Sequence, residues 1–300
     1  MKKRYCFIVF GLLFNSYFLL AQGCSDAGIC SIGNSFQKEI STKNLIETGA
    51  VYGVGEADVS YFSSYITYSR ELNQKWTVSA KVTYSVANGS FGQRGQFGDA
   101  YAIGNYKFPE NNNKQWSVLA GIKFPFTTAN AKINGYSLPL EYQASLGTFD
   151  LIVTANYKFH SWDFNGGFQI PVFNNNKNSY FAEYSGTDDF PSTNLFQRKS
   201  DALFRTTYTI KTSNKKFTFK PNVLFIYHLG NDSYENIFSQ REIIPDSKGL
   251  TINGNIIAAY HFNSKNSLEL SLATPFVVRE IRPDGLTRAF TVGLLYKIAF

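Results

Sequence analysis

The sequence predicts an all-β fold, an antiparallel transmembrane β-barrel of about 12 strands, with 10 or 14 as the alternatives. Three observations carry this. Apolar residues occupy every second position over stretches of eleven or more residues, the links between those stretches are short and long in turn, and aromatics gather at strand ends. Successive side chains of a strand point to opposite faces. An apolar outer set beside a polar inner set therefore suits a wall with hydrocarbon on one side and water on the other.

The N-terminus reads as an export signal. Lys2, Lys3 and Arg4 precede a largely apolar run from Tyr5 to Leu20, and Ala21-Gln22-Gly23 offers small residues for cleavage. The predicted organisation is a signal peptide at 1–22, a periplasmic tail or small plug at 23–44, and the barrel at 45–300. Cleavage after Gly23 would leave Cys24 first, although Gln22 makes a poor lipidation motif. Cys24 and Cys30 are the cysteines of the exported chain and form a candidate disulfide in an oxidising compartment.

Composition narrows the partners. Removing the three signal cations takes the formal charge from +7 to +4, too mild to argue for nucleic acid. Beyond the signal no apolar run approaches the ~20 residues of a spanning helix. Aromatics nevertheless make up 17% of the chain, with 28 Phe and 19 Tyr against one Met. No metal site and no cofactor is expected.

The twelve predicted strands are 45–56, 58–72, 76–88, 98–108, 115–126, 148–159, 162–173, 200–211, 216–229, 249–262, 266–278 and 287–300. In the third, Trp76, Val78, Ala80, Val82, Tyr84 and Val86 face out while Thr77, Ser79, Lys81, Thr83 and Ser85 face in. In the ninth, Phe217, Phe219, Pro221, Val223, Phe225, Tyr227 and Leu229 oppose Thr218, Lys220, Asn222 and His228. In the last, Phe290, Val292, Leu294, Tyr296, Ile298 and Phe300 share one face. Such lengths exceed an ordinary globular strand and fit a tilted crossing one. Short links at 73–75, 109–114, 160–161, 212–215 and 263–265 are periplasmic turns; long ones at 89–97, 127–147, 174–199, 230–248 and 279–286 are outer loops. The first hairpin needs a very tight turn at Ala57.

Trp76, Trp116 and Trp162 fall at strand starts after short turns, and Phe108, Phe159, Phe262 and Phe300 close strands at the same level. This is an aromatic girdle at one water–hydrocarbon boundary. The inner face carries Lys81, Lys107, Lys123, Lys158, Arg205, Lys211, Lys220 and Lys297 among Glu47, Asp99, Asp150, Asp163, Asp201 and Glu269. Charges kept from lipid must be paired or wet. Candidate pore-lining residues are Lys81, Lys123, Asp99, Asp150, Asp163, Arg205, Lys220 and Asn222, with Lys81, Lys123, Arg205 and Lys220 expected nearest mid-barrel.

The closing strand also resembles the C-terminal strand of bacterial outer-membrane barrels, which the barrel-assembly machinery reads; Tyr296 and Phe300 are its candidate signal. Deleting Phe300 is expected to cut outer-membrane levels sharply without blocking export, measured by fractionation. Gly98-Asp-Ala-Tyr-Ala-Ile-Gly-Asn-Tyr-Lys-Phe108 and Leu146-Gly-Thr-Phe-Asp-Leu-Ile-Val-Thr-Ala-Asn-Tyr-Lys-Phe159 resemble two signatures of the outer-membrane family associated with phenol meta-cleavage pathways. The resemblance covers about residues 45 to 160, and the segment Cys24-Ser-Asp-Ala-Gly-Ile-Cys30 resembles the mature start of Bacteroidetes-type members. It implies a channel for small, often hydrophobic compounds, distantly similar to long-chain fatty-acid transporters.

The expected function is thus an outer-membrane channel passing small, moderately hydrophobic molecules, with outer-membrane lipid, the assembly machinery and a small solute as partners. A closed structural or adhesive barrel is the alternative, using the 174–199 loop with Tyr180, Phe181, Tyr184 and Phe190. A barrel hydrolase is a lesser one. Of His160, His228 and His261, only His228 lies near the outer rim beside polar residues, and no hydrolase motif surrounds it.

Overall fold

The computed structural model describes residues 43–284 and 288–300. The signal peptide, nearly all of the tail and the Cys24–Cys30 pair lie outside the described residues. Twelve antiparallel strands form a closed ring. They are β1 (Asn44–Gly55), β2 (Ser60–Glu71), β3 (Trp76–Gly89), β4 (Gly92–Lys107), β5 (Lys114–Pro125) and β6 (Thr148–Phe159). The other half is β7 (Trp162–Asn174), β8 (Asp201–Tyr208, resumed at Ile210–Lys211), β9 (Phe217–His228), β10 (Gly249–His261), β11 (Asn266–Val277) and β12 (Arg288–Ala299). Each pairs with its sequence neighbours, and β1 closes on β12 with Leu45 opposite Ala299 and Glu47 opposite Lys297. Closure satisfies every edge, the condition for strands to cross a bilayer.

The alternation fixes which face meets lipid. Along β9 the even members are buried and the odd ones exposed without exception. Outer side chains such as Phe62, Ile122, Phe204, Ile256 and Leu294 are exposed although apolar, so a water-soluble state is excluded for this wall. The girdle is formed as read. Trp76 packs against Tyr106 with ring centroids 5.0 Å apart, Trp116 against Tyr157 at 4.6 Å, Trp162 against Tyr208 at 4.8 Å and Phe217 against Tyr260 at 4.9 Å. All lie on the short-turn side, next to the two described chain ends.

One detail differs from the sequence reading. The expected loop at 89–97 is strand. β3 and β4 run on as a hairpin in which Tyr84 faces Phe97 and Gly89 faces Gly92, because Gly92 adopts a φ of +102 that closes a two-residue turn. The tight first turn is real: a short 3₁₀ turn, Glu56–Asp58, puts Ala57 and Asp58 in the left-handed region, and β2 pairs fully along β1. That pairing supplies the two strands a ten-stranded alternative would omit.

Candidate functional site: a capped, unevenly filled lumen

Three long loops, 126–147, 175–200 and 229–248, fold over the outer mouth. Loop 126–147 turns inward, so that Ser145 donates from Oγ to Asp99 on the inner face of β4 at 2.6 Å. Loop 175–200 is tied to it: Asn178 Nδ2 donates to the carbonyls of Ala129 (2.8 Å) and Leu138 (3.0 Å), and Asn176 Nδ2 to that of Leu146 (2.9 Å). Loop 229–248 joins through paired backbone bonds between Gln197 and Ser233.

Two apolar clusters stiffen the cap. One packs Leu138, Tyr142, Tyr180 and Phe190 onto Val59 and Ala87 at the strand tops; the other gathers Ala129, Leu140, Leu146, Phe196 and Ile244. Here the reading of loop 174–199 as an adhesive aromatic surface needs correcting. Tyr180 and Phe190 are 2% and 1% exposed, because they are the core of the cap; Tyr184 alone of the four is largely exposed.

An ion cluster locks the cap to the wall. His228, at the end of β9, places Nδ1 2.7 Å from Asp201 of β8 and Nε2 2.8 Å from Asp232 of the following loop. Arg198 reaches Asp201 at 2.5 Å and Asp284 at 3.7 Å. Arg279 is bonded to Asp284, approaches Asp232 at 3.8 Å and donates to the Ser247 carbonyl at 2.7 Å. Three outer loops and two strands thus meet on six buried charged groups. Burial raises the Asp284 carboxyl, but the Arg279 and Arg198 guanidiniums overcome this and hold it below its ordinary range. Both His228 nitrogens are engaged by carboxylates, which makes it a structural link rather than a free base.

Glu141 behaves oppositely. It sits on the turn Leu140–Tyr142 between the two apolar clusters, 7% exposed, and burial pushes its carboxyl up to about 8, with the charge of Asp284 adding to this. A raised acid favours the folded cap while protonated. Its contribution is complete below the ordinary glutamate range and is lost as pH climbs towards about 8. Proteolysis of the outer loops in detergent is therefore expected to speed up several-fold from pH 5 to pH 9, and Glu141→Gln is expected to flatten that rise.

Within the barrel the two halves differ. On β4 to β9 the inner side chains are packed away, and Tyr101, Ile103, Leu119, Ile152, Leu203, Leu224 and Ile226 form one apolar cluster. On β10 to β12 and β1 to β3, inner residues at mid-strand remain half-buried: Asn255, Ser271, Ala273, Thr291, Val51, Tyr61, Tyr65 and Thr83. The residual exposure of inner side chains at mid-strand is thus concentrated on this second wall.

All eight candidate pore residues are on the inner face and buried. Lys123 lies two residues from the outer end of β5 rather than mid-barrel, 2.9 Å from Asp150 and 4.0 Å from Asp99; Gln169 Nε2 also donates to Asp150 at 2.5 Å. Asp163 faces Lys158 across the β6–β7 pair, with Arg205 diagonal to it on β8. Asn222 accepts from Asn255 Nδ2 at 2.9 Å, beside Lys220. Lys81 stands over the Tyr65 ring at 4.3 Å and near Tyr101 at 5.7 Å, where the packed half meets the half-buried wall. Sequence reasoning set Asp232 beside His228, but it missed Arg198, Arg279 and Asp284, since nothing local marks a loop charge as buried. Among the described residues, no group of three or more His, Cys, Asp or Glu is placed to hold a metal ion.

The fold has solved counterparts. The COG4313 outer membrane channel from Pseudomonas putida F1 superposes with a TM-score of 0.57 at 14% identity, covering 88% of this chain and 98% of that one. The NanC porin (12% identity, 85% and 98% covered) and the KdgM porin (8%, 85% and 99%) give 0.46 and 0.45. No protein-family model and no curated protein matches the chain. The likeness is one of fold. The apolar outer wall and the closed ring make the protein a transmembrane β-barrel of the bacterial outer membrane.

Proposed function

We propose that this barrel is a channel for small, moderately hydrophobic molecules, with a solute path along the inner wall of β10–β12 and β1–β3 and a mouth controlled by the cap. The observation that carries the reading is the uneven filling of the lumen. A barrel built only as a scaffold gains nothing from leaving one wall unpacked, since filled interiors are more stable. At mid-strand the half-buried wall bears Ser, Thr, Ala, Asn, Val and Tyr, with Lys81 beside it and Lys297 neutralised by Glu269 and Glu47 toward the short-turn end. Such a surface offers hydroxyls and ring faces and little charge, which favours neutral amphiphiles or aromatics over highly charged solutes. The resemblance of Gly98–Phe108 and Leu146–Phe159 to the phenol meta-pathway channels supports the same solute class.

The test is flux into liposomes, with phenol as probe and glucose as comparison. Phenol is expected to enter faster through protein-containing vesicles. Ser271→Arg, which puts a long cation on the half-buried wall, is expected to lower that flux several-fold, whereas Leu203→Ala in the packed half should cost stability and leave flux alone. Equal flux with and without protein, or no effect of Ser271→Arg, sinks the channel reading.

A further inference from the structure

The lipid-facing wall is indented between β7 and β12. There the outer residues Thr206, Gly254 and Thr274 are small, and they floor an apolar groove of about 490 Å³. Trp162 and Tyr208, opposite each other in register with rings 4.8 Å apart, close one end; Phe276 and Phe290 close the other. The groove crosses the paired row Pro221, Ile256, Leu272 and Val292. At ~4.8 Å per strand it spans roughly 24 Å, which exceeds half of the ~30 Å hydrocarbon core. Because barrel strands tilt, the groove runs obliquely from the girdle into the bilayer.

The girdle end fixes the leaflet and the headgroup. It lies on the short-turn, periplasmic side. The turn that follows Tyr208, at 212–216, exposes Lys215 and Lys216, the next turn along this rim, at 263–265, exposes Lys265, and neither contains an acid. Elsewhere on this rim Glu71 and Glu110 stand beside or within the turns. An apolar trough as long as an acyl chain, ending at paired aromatics beside exposed lysines, matches one lipid chemistry in both its halves. We propose that this face binds a single anionic phospholipid of the periplasmic leaflet, with one acyl chain in the groove and its phosphate against Lys215, Lys216 and Lys265.

Native mass spectrometry of the protein released from detergent tests this, using phosphatidylglycerol and phosphatidylcholine with identical chains. The wild type is expected to keep one phosphatidylglycerol at activation energies that strip phosphatidylcholine. Lys215→Gln with Lys216→Gln and Lys265→Gln should weaken phosphatidylglycerol about tenfold, to the phosphatidylcholine level. Thr206→Leu with Thr274→Leu, which fills the groove, should weaken both lipids. A boiling-dependent shift on a gel verifies that each variant is folded. Equal retention of the two lipids by the wild type, or retention unchanged in the lysine variant, overturns the headgroup assignment. Retention unchanged in the filled-groove variant overturns the groove.

Discussion

Asp284→Asn is expected to widen the outer mouth. Asp284 is fully buried and receives Arg279 and Arg198 together, so removing its charge leaves two guanidiniums facing each other without their shared partner. Breaking one member of a buried ion network typically costs about 3–5 kcal/mol, because the remaining charges lose their compensation. The strands do not depend on these contacts, so the loss falls on the cap. In a planar bilayer the variant should show conductance severalfold above wild type, together with faster proteolysis of loops 175–200 and 229–248. Since the Asp284 carboxyl is held low, its contribution is present above the ordinary carboxylate range and disappears as pH falls. Acid should therefore reproduce the variant in the wild type. Conductance unchanged by both Asp284→Asn and acid would mean that the cluster does not control the mouth.

The second large effect is expected at the seam where the chain ends meet. Lys297 on β12 holds Glu269 of β11 at 2.9 Å and Glu47 of β1 at 3.3 Å, so one ammonium ties three strands across the point of closure. Lys297→Met leaves two carboxylates close together without a cation, again a cost of about 3–5 kcal/mol. The temperature at which the folded gel band converts to the unfolded one should drop by more than for any single outer-face substitution. Adding Glu47→Gln and Glu269→Gln to Lys297→Met should recover much of the loss, because the penalty lies in unpaired charge and not in the missing lysine itself. A seam variant as stable as wild type would show that backbone pairing between β1 and β12 suffices.

The barrel was legible because its information is local. A strand has a period of two, so Phe217 to Leu229 reveals its outer face without reference to any other segment. The same holds for Trp76, Trp116 and Trp162, whose position after short turns places them at one membrane boundary. Membrane crossing also constrains connections, which is why alternating link lengths gave the strand order and the count. The run Gly92–Phe97 was misread for a local reason too: Gly, Gln and Arg look like loop residues, and only cross-strand pairing with Tyr84 to Gly89 makes them strand.

By itself, then, the amino-acid order determined which faces of the strands meet lipid and which meet the interior, since that depends on neighbours along the chain. The tertiary structure decided what happens inside. Whether Lys123 lines open water or is enclosed beside Asp150 depends on a residue 27 positions away. His228 is held by Asp201, also 27 positions away, and Asp284 by Arg198, 86 positions away. The difference between the packed wall of β4–β9 and the half-buried wall of β10–β3 likewise arises only when side chains from several strands compete for one enclosed volume. Alternation says that a residue points inward; the volume left after all the inward residues are placed exists only in the closed barrel.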